Sequence, residues 1–212
     1  MGLDQPPRIR PRAAADLPAL GRVLEQQQPH TGYPQSWPLR YPVEQFIARR
    51  GELGAWVATL DDDPAPIGHV SVTAPAHGAN SGADHRLEAS PEVEGWVAGT
   101  GLPVEQLAAV SVLYVDHTVS GRGVGGALLD TAVGFIRSSG RTPVLDVVQE
   151  TTRAVRLYRR SGWQVVGEAR PWWLPADHLP VLLMALPDGV DGVEATDLIG
   201  GSMDGAQART TK

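Results

Sequence analysis

The sequence predicts an α/β domain, and three observations carry the prediction. The run from Val110 to Val115, Val-Ser-Val-Leu-Tyr-Val, is apolar and β-branched and reads as a buried strand. A glycine-rich turn follows it, after which Leu128, Leu129, Ala132, Val133 and Ile136 recur on one face of a helix. Residues 55–60 and 67–72 form a second pattern, two short apolar runs joined by an Asp/Pro turn, which reads as a strand pair. Strand-like 143–148, helical 151–160 and strand-like 163–166 then succeed one another, completing the mixture of elements.

Length and composition set the bounds. The chain has 212 residues, 42% of them apolar, enough for one domain with a proper core. Residues 1–187 are expected to form that single domain, with a mobile insertion near 74–90 and a disordered tail over 188–212. Net charge is −6 and the sequence pI about 5.5, which argues against nucleic acid as the main partner, since phosphate binding needs clustered Lys and Arg. With no cysteine, disulfides, thiolate metal sites and a cysteine nucleophile are excluded. No apolar run approaches the ~18 residues of a membrane span, and the N-terminus lacks a signal-peptide pattern. A soluble cytoplasmic protein with no membrane partner is expected.

In chain order, residues 1–7 read as a loose start and 8–11 as a short first strand. Residues 13–28 read as a helix with Leu17, Leu20, Val23 and Leu24 on one face; Pro18 falls near its first turn, where proline is tolerated. Residues 29–42 are rich in proline and aromatics, with Tyr33, Trp37 and Tyr41 four apart. Such a stretch either covers a core edge or walls a pocket. Residues 44–50 read as a short helix. The turn at 61–66 carries three aspartates, but its prolines favour a solvated turn over a cation site. His69 alternates with apolar neighbours and reads as a packed or half-exposed side chain rather than a ligand. Residues 91–106 are helical in part, through Val93, Trp96 and Val97, and break at Gly99-Thr100-Gly101. In 151–160, Ala154, Leu157 and Tyr158 share a face, Arg153, Arg156, Arg159 and Arg160 take the other, and Gly162 is the stop. Residues 181–186 read as a last strand.

The glycine-rich turn, Gly121-Arg122-Gly123-Val124-Gly125-Gly126, is where chemistry concentrates. Between a strand and a helix N-terminus, backbone N–H groups point outward unobstructed and the helix dipole favours an anion. Arg122 adds positive charge, so a phosphate ligand is the natural inference. Gly121-x-Gly123-x-x-Gly126 formally meets the dinucleotide fingerprint, with Asp146 twenty residues on. Yet five residues separate it from the strand, and the flanking segments do not alternate as a βαβαβ unit. A P-loop fails because no Gly-Lys-Ser/Thr follows. A bare glycine connection is the remaining alternative, against which stands the absence of the usual Ser, Thr, Asp or Asn cap.

The stretch resembles the acyl-CoA-binding signature of the GNAT N-acetyltransferase superfamily. Leu113-Tyr114-Val115 matches the strand end, and Arg122-Gly123-Val124-Gly125-Gly126-Ala127-Leu128-Leu129 matches the loop and helix start. Ser120 stands where Gln or Arg is usual. A second match lies in 151–163, where Ala154, Leu157-Tyr158 and Gly162-Trp163 fit the family pattern and Thr151 replaces the usual Asn. The resemblance implies a mixed, mostly antiparallel central sheet, splayed at the acyl-CoA site and flanked by helices.

It also implies acetyl-CoA as co-substrate, no metal, and transfer of the acetyl group to a primary amine by direct attack on the thioester. The acidic balance suits a cationic small-molecule acceptor. By resemblance, the acyl-CoA would be held by Leu113, Tyr114, Val115, Gly121, Arg122, Gly123, Val124, Gly125, Gly126 and Thr151. A backbone N–H near Leu113 to Val115 would face the thioester carbonyl. Tyr158 matches the family's general acid, and a phenol near pKa ~10 donates at neutral pH. The acceptor wall would come from Tyr33, Trp37, Trp172 and Trp173. The general base is not identified: Ala108, Ala109 and Ser111 occupy the strand where many relatives place a glutamate, leaving Glu105, His117, Glu150 and His178, or a water chain to a distant carboxylate, as candidates. A non-catalytic acyl-CoA-binding module, a peptide or protein acceptor and a homodimer all stay open at this level.

Overall fold

A computed structural model describes residues 6–60, 63–75 and 90–187. The expected insertion falls mostly, and the expected tail wholly, outside these described residues, as do Asp61 and Asp62. Strand β1 (Arg8–Pro11) leads into helix α1 (Leu17–Thr31) and the short α2 (Val43–Ile47). Strands β2 (Glu52–Leu60) and β3 (Asp63–Thr73) form the expected hairpin, each longer than its apolar run. Helix α3 (Pro91–Thr100) precedes β4 (Leu107–Val115), α4 (Val124–Ser138), β5 (Thr142–Val147), α5 (Thr152–Arg160), β6 (Gln164–Ala169) and β7 (Val181–Ala185).

Two helix ends differ from expectation. Helix α1 runs through Pro29 to Thr31 and stops at Gly32, whose positive φ of 70° lets its N–H reach the Gln28 carbonyl at 2.8 Å. Buried Gln27 fastens this last turn, donating to the Tyr33 carbonyl and accepting from the Thr31 hydroxyl. Helix α3 likewise continues through Gly99 and ends at Gly101, φ 69°. A Cβ on Gly99 would strike the Val166 carbonyl, so this glycine permits α3 to lie against β6.

The seven strands form one sheet in the order β1-β2-β3-β4-β5-β7-β6. Every neighbouring pair is antiparallel except β4 and β5. That parallel pair is short: only Leu107, Ala108 and Ala109 face Thr142, Pro143 and Val144. Beyond them β4 stays on β3 out to Val115, while β5 stays on β7 out to Val147. The sheet therefore splits between the C-terminal ends of its two central strands, the splay expected above.

A bulge shapes the split. His69 pairs with Tyr114 and Ser71 with Ser111, so two steps along β3 match three along β4. The extra residue flips the alternation of β4. Ala108 and Val110 face one core cluster and Ala109 another; past the bulge, Leu113 and Val115 face the first side while Val112 and Tyr114 face the opposite one. Val112 absorbs the irregularity with φ 50°, a left-handed conformation that a β-branched residue adopts only under constraint.

The two faces of the sheet are packed differently. Under α4 and α5 lies one continuous cluster, from Ala58 and Val70 through Leu128, Leu129 and Ile136 to Leu182 and Met184. On the other face the core is divided. Leu20, Leu24, Phe46, Ile47, Val112 and Tyr114 form one cluster beneath α1 and α2, and Trp96, Val144, Leu174, Val181 and Leu183 form another beneath α3. The gap between them lies over the split in the sheet.

Candidate active site

The mouth of the split is framed by the two segments that leave β4 and β5. After β4, Asp116 caps a single 3-10 turn, its Oδ1 accepting from the Thr118 N–H at 2.8 Å and the Thr118 hydroxyl at 2.7 Å. This turn accounts for the five residues between strand and glycines. Gly121 (φ 84°) and Gly123 (φ 86°) then take left-handed conformations that deliver the chain into α4. The first turn of α4 has no side-chain cap and no acidic residue. Its leading N–H groups lack intrahelical acceptors, as at any helix start. A Cβ on Gly121, Gly123 or Gly126 would meet nothing within 4 Å. The result is an open, uncapped helix N-terminus with the geometry of an anion cradle.

Positive charge comes to this cradle from two places. Arg122 is exposed within it. Arg153, in the first turn of α5, reaches across and donates from Nη1 to the Ser120 hydroxyl at 2.6 Å. Sequence reading put Arg153 merely on the solvent face of its helix; the fold brings its guanidinium to the site where Ser120 departs from the family pattern. Thr151, the residue before α5, makes no side-chain cap there.

Ionisable side chains from separate elements lie beside the split. Asp146, on the stretch of β5 that pairs with β7 but no longer with β4, is half-buried on the divided face. Its carboxyl is pushed up to about 6, mainly by loss of water and further by the neighbouring Glu92 carboxyl, with Arg49 opposing. Tyr158, 8% exposed, stacks edge-on against Trp163 with ring centroids 5.9 Å apart. Burial first, then Tyr33 and Asp146, raise its phenol above the ordinary range. Tyr33 is pushed up to about 12 by burial, with Asp146 and Tyr41 adding and Arg49 opposing. Asp146 thus raises both phenols, and Tyr33 also raises that of Tyr158. Both phenols keep their protons at neutral pH, while the Asp146 carboxyl is largely ionised.

None of the four base candidates read from sequence lies on the two strands that form the split. Glu105 precedes the paired end of β4, opposite to the split, and its carbonyl accepts from Arg141 at 3.2 Å. Glu150 is exposed and accepts from the Leu179 N–H at 3.1 Å, which lowers its pKa. His117 sits on the 3-10 turn, stacked on His30 with centroids 3.9 Å apart. His178 lies in the β6–β7 connection. Asp146, considered from sequence only as the acid of a dinucleotide fingerprint, is a carboxylate on β5 beyond its last rung with β4. The signal available was a lone acid inside an apolar strand, Pro-Val-Leu-Asp-Val-Val.

The aromatic segments meet over the gap in the divided core. Tyr33 packs edge-on against Phe46 at 5.9 Å in the α1/α2 cluster, and Trp173 packs on the α3 cluster. The Ser36 hydroxyl donates to the Trp173 carbonyl at 3.2 Å and ties the two segments together. Trp37 is half-buried, whereas Trp172 is 60% exposed. Along β4, the Tyr114 side chain is buried, donating to the Leu20 carbonyl at 3.1 Å, so only its main chain can face the split. Among the described residues, no group of three His, Cys, Asp or Glu is arranged to hold a metal ion, and no helix is long and apolar enough to cross a membrane.

Comparison with known proteins agrees with this architecture. The acetyltransferase (GNAT) family profile matches residues 22–163. No curated protein matches the sequence significantly. Among solved structures, the ribosomal-protein-S18-alanine N-acetyltransferase of Escherichia coli is similar with TM-score 0.57 and 17% identity, over 89% of this chain and 97% of that one. NAA60 of Arabidopsis thaliana in complex with acetyl-CoA gives TM-score 0.56 and 22% identity over 85% and 97%. A Corynebacterium glutamicum structure described as histone acetyltransferase HPA2 and related acetyltransferase gives 0.59 and 20% over 86% and 97%.

Proposed function

The chain belongs to the acetyltransferase (GNAT) family, an acetyl-CoA-dependent enzyme class, and from that premise we propose that it acetylates a primary amine of a small molecule, with Asp146 as general base and Tyr158 as general acid. The observation that carries the reading is the split between β4 and β5: an uncapped helix N-terminus stands at its mouth, and a carboxyl pushed up to about 6 stands beside it on β5. Acetyl-CoA supplies an activated acyl carbonyl when bound. Residues 121–126 bind its pyrophosphate through main-chain N–H groups, with Arg122 and Arg153 adding charge. Thr151 and the main chain of Leu113, Tyr114 and Val115 complete that side.

The acceptor enters over the divided core, between the segments that carry Tyr33 and Trp37 and those that carry Trp172 and Trp173. The Ser36–Trp173 tie across this opening suits a small amine better than a polypeptide. An ammonium arriving there meets Asp146, which takes its proton. The free amine attacks the acyl carbon, a C–N bond forms, the C–S bond breaks, Tyr158 gives its proton to the departing thiolate, and the second proton shed by the acylated nitrogen restores the phenol. The test is thiol release from acetyl-CoA with a panel of small amines and N-terminal peptides. Release with small amines and none with peptides is expected; the reverse assigns a peptide or protein acceptor, and release with neither refutes the reading.

A further inference from the structure

Behind the bulge of β4 lies a chain of buried polar groups that the proposed chemistry does not use. His69 on β3 is 0% exposed. Its Nδ1 is 3.0 Å from the Val112 carbonyl, and its Nε2 is 3.1 Å from Nη1 of Arg12. The other guanidinium nitrogen of Arg12, Nη2, donates to Glu52 Oε1 at 2.8 Å, and Nη1 also donates to the Ile47 carbonyl at 3.2 Å.

These partners fix the tautomer. A carbonyl only accepts and a guanidinium only donates, so Nδ1 carries the proton and Nε2 receives the Arg12 N–H. Burial agrees, pushing the imidazole down to about 3 and keeping it neutral. The partner held by Nδ1 belongs to the bulged residue, whose φ of 50° needs an external constraint. The Val112–Leu113 peptide is trans, so its carbonyl and the Leu113 N–H point in opposite directions. With the carbonyl fixed on His69, the N–H is turned away from His69, out of the α1/α2 cluster.

We propose that His69 is a positioning residue for acetyl transfer: its Nδ1–H holds the Val112 carbonyl so that the Leu113 N–H presents itself to the acyl carbonyl in the split. Arg12 and Glu52 orient His69 from behind. The inference rests on the reading of the split as the acetyl-CoA site.

The test pairs His69→Asn with His69→Gln. The Asn amide nitrogen overlies Nδ1 and keeps the Val112 contact, whereas the Gln amide overlies Nε2 and keeps only the Arg12 side. Infrared spectra of bound acetyl-CoA, isotope-labelled at the acyl carbon, read the carbonyl directly, and calorimetry reads affinity. The wild-type protein is expected to lower the carbonyl stretch on binding. His69→Asn should retain that shift. His69→Gln should lose it and release thiol roughly 10-fold or more slowly, with acetyl-CoA affinity within about 3-fold. Equal shifts in the two variants, or equal impairment, overturn the positioning role. Binding without any wild-type shift refutes the N–H contact itself, and absence of acetyl-CoA binding refutes the underlying site.

Discussion

Replacing Asp146 with Asn separates catalysis from stability in opposite directions. Burial lifts this carboxyl from an ordinary 3.8 to about 6, so the folded chain holds the proton more tightly than the unfolded one. The stabilising contribution is complete below about pH 4 and is lost as pH rises through about 6. Above that, the folded protein carries a charge it solvates poorly. A shift of about two units corresponds to roughly 3 kcal/mol, and partial solvent access of the side chain reduces this to about 1–3 kcal/mol. Asparagine has no charge to desolvate. Asp146→Asn should therefore melt higher near pH 7.5, by roughly 2–4 °C per kcal/mol, and the difference should close below about pH 4. Thiol release should fall by ~100-fold or more. In the wild-type enzyme kcat/KM should rise with pH through about 6 and then level off on account of this group. The chain contains no cysteine, so a thiol-trapping reagent reads released CoA alone. Unchanged turnover in the variant would refute the assignment as base. A melting temperature that does not rise near pH 7.5 would refute the argument from burial.

Tyr158→Phe should slow thiol release by ~100-fold or more while leaving CoA affinity, measured by calorimetry, within a few-fold; normal turnover would leave Tyr158 as packing against Trp163. Gly125→Asp places a carboxylate in the first turn of α4, where a Cβ meets only Val115 at an ordinary 3.7 Å. The dipole favours that charge by ~0.3–1 kcal/mol, so the melting temperature should hold or rise while CoA binding weakens more than about 10-fold, and unchanged affinity would remove the site from this loop. Arg153→Ala should weaken CoA binding by several-fold, and less so at high salt; equal affinity at low salt would detach Arg153 from the cradle. Trp37→Ala and Trp172→Ala should raise the KM for the amine and spare acetyl-CoA binding, and joint loss of stability and CoA affinity would refute the acceptor wall.

What could be read from the sequence was what local periodicity encodes. The strand, glycine loop and helix of 110–136 and the helix at 151–160 appear where expected, because each carries its own apolar face and stop signal. The bulge was invisible. Strand β4 reads Leu-Ala-Ala-Val-Ser-Val-Leu-Tyr-Val, apolar on both faces, so a one-residue slip leaves no trace in its pattern. Arg153 was missed because its partner lies 33 residues away and only the fold brings them together. His69 was read as a packed or half-exposed side chain and proves to be packed, but its partners come from Arg12, just after β1, and from β4, beyond any local window. Pro29 marked a loop start in the sequence, yet α1 continues past it, since Gln27 and Gly32 secure the last turn.

The divided core has a mechanical meaning. On one face, α4 and α5 bind the sheet like a spine; on the other, among the described residues, the α1/α2 cluster and the α3 cluster are separate, and three parallel rungs link β4 to β5. Folding therefore proceeds to two leaves that share one binding edge. Opening one leaf against the other breaks few apolar contacts on the divided face, so leaf-against-leaf breathing is the excursion expected of this architecture. A ligand that touches both leaves stiffens that motion, so occupancy of one side of the split lowers the ordering cost of filling the other. The same seam that weakens the empty fold thus favours the assembly of two substrates within it.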